Sequence, residues 1–186
     1  MRIERRAVLY LASALCLAVP PFAASQEAPI DTLVGEGVDH TLHVELETKL
    51  SSIGGEFANF TGMTFTIGMN DRFQIGLGAF GRTNHLDRVQ LGYGGLMLGY
   101  NLHPDRTFHA SFRALIGGGR ADIPGAPDHN LFVAEPEVEL SVNVTRTLRI
   151  GAGVGYRFVA GAGSVNQDLR GWSGSLSVGL VLFRNR

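Results

Sequence analysis

The chain has 186 residues and a mass of 20.0 kDa, the size of one domain with room for a leader. Sixteen Lys and Arg stand against 17 Asp and Glu, a formal charge of -1 that offers no basic footprint for nucleic acid. One cysteine excludes a disulfide scaffold or a zinc site of several thiolates, and an apolar share of 45% excludes a disordered chain.

Residues 1–25 read as an export signal. Arg2, Arg5 and Arg6 precede the apolar run Ala7–Val19, Pro20 and Pro21 break it, and Ala23-Ala24-Ser25 supplies small residues for cleavage. The run is shorter than the roughly 20 residues that a helix needs to cross hydrocarbon. Leu15 before Cys16 argues against lipid attachment at that cysteine. Residues 26–39 are expected to be a flexible lead, and residues 40–186 the folded β-barrel domain.

From His40 onward apolar residues recur at period two, and no segment reads as a helix. Eight strands are expected near residues 40–50, 56–68, 72–84, 88–102, 107–120, 131–144, 148–160 and 171–183. In the first, Leu42, Val44, Leu46 and Leu50 oppose His43, Glu45, Glu47 and Lys49. In the third, Phe73, Ile75, Leu77 and Ala79 oppose Gln74, Gly76, Gly78, Phe80 and Arg82. The fifth sets Phe108, Ala110, Phe112, Ala114 and Ile116 against His109, Ser111 and Arg113. The sixth sets Pro136, Val138, Leu140, Val142 and Val144 against Glu135, Glu137 and Glu139. The seventh opposes Ile150, Ala152, Val154, Tyr156 and Phe158 to Arg149, Gly151, Gly153, Gly155 and Arg157, and the eighth Leu176, Val178, Leu180 and Leu182 to Ser173, Ser175 and Ser177. The second and fourth are more mixed.

Most segments exceed the five or six residues of a soluble strand and reach the 9–11 or so that a tilted strand needs to cross a bilayer. A water-facing strand side is ordinarily rich in Lys, Glu, Thr and Gln. Here the polar side is rich in Gly and Ser, which suits the crowded inside of a narrow barrel. Aromatic residues gather near strand ends (Tyr100, Phe108, Phe132, Tyr156, Phe158, Trp172), as in interfacial girdles. Connections after the even strands are short, and those after the fifth and seventh are longer, at residues 121–130 and 161–170. The expected fold is all-β: an eight-stranded antiparallel up-and-down transmembrane β-barrel. Closure leaves no strand edge in hydrocarbon. Pro136, lacking a donor, is expected at a bulge or near the rim.

An eight-stranded barrel holds little beyond its own side chains. Buried carboxylates must then be paired. The expected interior charge network is Glu56, Arg82, Arg113, Glu135, Glu137, Glu139, Arg149 and Arg157, with the three glutamates of the sixth strand facing Arg113, Arg149 and Arg157 on its neighbours. No catalytic set, cofactor or metal site is expected. Glu135 and Glu137 could pose as an acid/base pair, but an acidic stripe inside a barrel has the same spacing. The glycine runs lack the lysine and following helix of a phosphate loop.

Several stretches carry a resemblance. Phe132–Gly161 (FVAEPEVELSVNVTRTLRIGAGVGYRFVAG) is similar to a characteristic segment of a family of small uncharacterised bacterial outer-membrane β-barrel proteins of Gram-negative bacteria. Ile53–Gly62, Leu91–Tyr100, Leu115–Ala121 and Asp168–Leu180 resemble its second, fourth, fifth and last strands. The chain departs from it at Met97, where the family often has an acidic residue, and in a shorter glycine-rich lead. The resemblance implies a fold and a cell outer membrane location, and no activity.

The expected function is that of an integral outer-membrane barrel, not an enzyme, with a structural or surface-interaction role and a charge-paired interior. Alternatives are a narrow pore or transport-related barrel, and a soluble periplasmic lipocalin-like barrel holding an apolar ligand. The expected partners are outer-membrane lipid and, during insertion, the barrel-assembly machinery; no nucleic acid is expected, and the chain is expected to be monomeric.

Overall fold

The computed structural model describes residues 39–83, 90–122, 129–161, 163 and 166–185. The expected signal and nearly all of the lead lie outside the described residues. Eight strands follow in order: β1 His40–Ile53, β2 Glu56–Met69, β3 Phe73–Arg82, β4 Gln90–Leu102, β5 Phe108–Asp122, β6 His129–Asn143, β7 Leu148–Ala160 and β8 Gly171–Asn185. Each pairs antiparallel with the next, and β1 pairs with β8 to close the barrel. One register shift interrupts that closing seam, where Leu42 faces Phe183 and His43 faces Val181. Leu182 is the extra residue, a β-bulge.

The period-two pattern sorts the side chains as a barrel wall requires, but with the apolar side outward. Leu46, Phe65, Phe73, Ile75, Leu77, Val138, Val154 and Leu176 are all exposed. A lipocalin-like cavity would turn Phe73, Ile75 and Leu77 inward, and they point the other way. The inward side has three zones along the barrel. At the end carrying the turns after β2, β4 and β6 lie polar groups such as Thr41, Asn101 and His109. Charged residues fill the middle. Toward the other end an apolar layer, including Phe60, Phe80, Leu91, Leu131, Val133 and Val159, closes the lumen.

Three local features differ from the sequence reading. The first strand continues to Ile53, because the β1–β2 turn is only Gly54-Gly55, both at positive φ (58° and 82°). That is the two-residue hairpin geometry that glycine accepts without strain, and it makes this odd-numbered connection tighter than the even ones. The β7–β8 connection contains a single helical turn, α1 (Asn166–Leu169), where no helix was expected. Pro136 occupies neither a bulge nor the rim. It sits in mid-strand, still aligned with Ala114 of β5, while the ladder to β7 lapses between Ala134–Phe158 and Glu137–Gly155 without a change of register. The missing N–H is thus absorbed on one edge only.

Candidate functional site

The central zone is the most concentrated chemistry of the described residues. β1 supplies Glu45, Glu47 and Lys49, β5 supplies Arg113, and β6 supplies Glu135, Glu137 and Glu139. All these positions share one parity, so every strand that carries them points them inward. Arg113 reaches four carboxylates: Glu45 at 2.6 Å, Glu47 at 3.1 Å, Glu137 at 2.6 Å and Glu139 at 2.9 Å. Lys49 Nζ reaches Glu137 at 2.9 Å and both Glu47 and Glu135 at 3.3 Å. Arg113 and Lys49 between them reach all five glutamates.

Hydroxyls take up the remaining acceptor sites. Ser173, Ser175 and Ser177 of β8 donate to Glu135, Glu137 and Glu139 at 3.0, 2.7 and 2.9 Å. Tyr93 of β4 donates to Glu135 at 2.6 Å, and Ser141 to Glu139 at 2.5 Å. The glycines of β7 make this possible. A Cβ on Gly153 would stand 2.6 Å from both Glu137 Oε1 and Ser175 Oγ, and one on Gly151 would stand 2.6 Å from the Glu139 carboxyl carbon. Three aligned strands therefore divide the work: glutamates on β6, empty space on β7, hydroxyls on β8.

Aromatic faces bound the network above. Lys49 Nζ lies 4.4 Å from the centre of the Phe80 ring. Phe80 and Phe60 pack against Tyr93 with ring centres 5.6 and 5.7 Å apart. Tyr93 thus joins the charged zone to the apolar layer: its ring belongs to one and its hydroxyl to the other.

The structure brings together four of the eight residues assigned to the network: Arg113, Glu135, Glu137 and Glu139. The other four lie elsewhere. Glu56 opens β2 beside the hairpin turn and is exposed. Arg82 ends β3, half-buried. Arg149 is half-buried at the opposite end, where its Nε donates to Asn143 Oδ1 at 3.2 Å. Arg157 is fully buried but lies within the apolar zone, with its guanidinium 4.6 Å above the Phe60 ring. The expected facing of the β6 glutamates by Arg149 and Arg157 is thereby corrected. Those arginines sit on the right strand and the right face but at the wrong height. Their place is taken by Lys49, which lies across the lumen and not on a flanking strand.

The acid/base reading of Glu135 and Glu137 gains nothing from this geometry. Both carboxylates are buried, each is held by a serine and a cation, and the apolar layer separates them from one mouth. Among the described residues no group of three or more His, Cys, Asp or Glu is arranged to hold a metal ion.

At the short-turn end a polar mouth of about 460 Å³ opens between Asn70, Asp71, Asp105, Asn143, Arg146 and Arg149. On the outer wall a shallow apolar groove of about 570 Å³ runs along the lapse in the β6–β7 ladder, between Phe112, Pro136, Val154, Tyr156 and Trp172.

No protein-family model and no curated protein sequence matches the chain. Solved structures do. Neisserial surface protein A is similar over 80% of this chain and 100% of its own, with a TM-score of 0.58 and 19% identity. The N-terminal β-barrel domain of Pseudomonas aeruginosa OprF is similar over 75% of this chain and 97% of its own, with a TM-score of 0.58 and 13% identity. At these identities the likeness establishes the small eight-stranded barrel fold.

Proposed function

We propose that the chain is an integral protein of the bacterial outer membrane, with a structural or surface-interaction role and a closed, charge-paired interior. The observation that carries this reading is the inversion of the barrel: charges inside, a continuous apolar belt outside. In water that belt would be a very large exposed apolar patch; in a bilayer it is the solvated surface. Its height fits. Phe132 and Val142, the partner of Phe108, are about ten residues apart on β6. At ~3.3 Å per residue and a tilt of ~40°, they span about 25 Å along the barrel axis. Exposed aromatics mark both borders, with Phe57, Phe132, Phe158 and Trp172 at one level and Phe73, Phe108 and Phe183 at the other.

The connections after β1, β3, β5 and β7 would face outward, and the turns after β2, β4 and β6 and the barrel's two ends of chain the periplasm, with lipid as the permanent partner and the barrel-assembly machinery acting during insertion. The apolar layer favours a plug over a pore, since ions would have to pass Phe60, Phe80 and Leu131. The test is extraction of the expressed protein followed by gel migration with and without heating. A requirement for detergent and a heat-dependent shift in mobility are expected. Solubility without detergent would end this reading. Step-like conductance in a planar bilayer from the wild-type protein would replace the plug with a pore.

A further inference from the structure

We infer that the β7–β8 connection carries a built-in stopper: α1 folds into the mouth at the long-connection end and is latched there by Arg157. This rests on the membrane reading for which side that mouth faces, but the latch itself is a property of the barrel alone.

The sequence of α1 is Asn166-Gln167-Asp168-Leu169, polar except for its last residue. Leu169 is fully buried and belongs to the apolar layer, while Gln167 and Asp168 stay exposed. One turn of polar chain is thus pinned by a single apolar side chain in the lumen. Two hydrogen bonds from separate parts of the barrel hold its backbone, and a third ties the residue that follows it to β7. Arg157 Nε donates to the Leu169 carbonyl at 2.9 Å. The Gly54 N–H, from the hairpin on the far side of the β1–β8 seam, donates to the Asp168 carbonyl at 2.9 Å. Arg170 Nε donates to the Val159 carbonyl at 2.9 Å.

Arg157 is a costly residue for mere packing. It is fully buried, and among the described residues no carboxylate forms an ion pair with it. Instead it donates to the stopper, to Ser51 Oγ at 3.3 Å and to the Ser52 carbonyl at 3.5 Å, and Nη1 has no partner among the described residues. A leucine or methionine could fill the same space without an ionic group to desolvate. What only the guanidinium supplies is a rigid fork that grips the last carbonyl of α1 and the β1 rim at once. Burial of the central glutamates is graded accordingly. The Glu45 side chain keeps 14% of its exposure, whereas Glu47 and Glu135, nearer the stopper, keep none. Water therefore approaches the charged zone from the short-turn side.

The test has two parts. On intact cells, in a Cys16→Ala background, Gln167→Cys and Leu169→Cys are treated with a membrane-impermeant maleimide. Gln167→Cys should react promptly, and Leu169→Cys at least about tenfold more slowly. In purified, folded protein, hydrogen exchange at the Gly54 N–H should be protected in the wild type and at least about tenfold faster in Arg157→Gln. Leu169→Asn keeps the arginine but removes the apolar seat, so it should release the same N–H even if Arg157→Gln fails to fold. Equal labelling at positions 167 and 169, or a Gly54 N–H unchanged in both variants, would overturn the stopper. If Gln167→Cys reacts only after the cells are permeabilised, the orientation of the barrel is reversed. The exchange measurement then still decides the latch by itself.

Discussion

Lys49 and Glu137 lie 88 residues apart in sequence and meet at 2.9 Å in the centre of the barrel. They sit on β1 and β6, strands that share no ladder, so only closure brings them together. Removing Lys49 leaves Glu135 and Glu137 dependent on hydroxyls and a single arginine. Lys49→Met should therefore destabilise the folded barrel by about 3–5 kcal/mol, the cost of leaving a buried charge without its partner. The double change Lys49→Met with Glu137→Leu should recover much of that loss. Urea titration of the protein folded in vesicles, run as a double-mutant cycle, measures both.

Gly153 and Gly174 lie on the adjacent strands β7 and β8 and face opposite sides of the wall. A Cβ on Gly153 collides with Glu137 and Ser175, whereas one on Gly174 meets nothing within 4 Å. Gly153→Ala should cost about 1–3 kcal/mol through displaced network atoms. Gly174→Ala should be close to neutral. Comparison of unfolding midpoints separates the two, and equal costs would mean that β7 glycines do not make room for the β6 carboxylates.

Leu77 is 65% exposed near the middle of β3, in the belt assigned to lipid. Leu77→Arg should cost about 2–4 kcal/mol in a bilayer, falling toward zero for the same change near a border aromatic such as Phe57. On a soluble barrel the substitution would be within about 0.5 kcal/mol of neutral. Folding equilibria in vesicles of defined lipid give the depth profile.

Pro136 interrupts the β6–β7 ladder, so the neighbouring amides should exchange faster than those around Val138 and Val154. Pro136→Val restores a donor and a strand-favouring side chain at an outward position. It should slow exchange at Tyr156 and raise stability by about 0.5–1 kcal/mol, as one more backbone hydrogen bond does. Unchanged exchange at Tyr156 would show that the lapse has another cause.

Strand period and facing were readable from sequence because alternation is a local property. Leu42 through Leu50 already specify which side of β1 is apolar, and Ser173-Ser175-Ser177 which side of β8 is polar. Height along the barrel was not readable. Arg149, Arg157 and Glu137 share parity, and only the stagger of the strands decides that Arg149 lies in one mouth, Arg157 in the other and Lys49 at the level of Glu137. Of the cations on the strands flanking β6, only Arg113 is level with its glutamates, and Lys49 reaches them from across the narrow lumen. The stopper left a weaker trace still. Leu169 is one apolar residue in a polar connection, and nothing local says that it turns inward.

The seam between β1 and β8 sets a condition on how the protein can be made. Ser51 reaches the Trp172 carbonyl across it, 121 residues away, and the seam is the last ladder of the barrel that a chain emerging from its N-terminus can complete, ending at His40 and Asn185. Until β8 arrives, β1 presents a full row of unpaired amides and carbonyls, each costing several kcal/mol in hydrocarbon. A chain truncated before Gly171 would have no partner for that edge and should fail to enter the bilayer as a stable species, however complete its first seven strands. Insertion and ring closure are in this sense a single event, governed by the strand that closes the barrel.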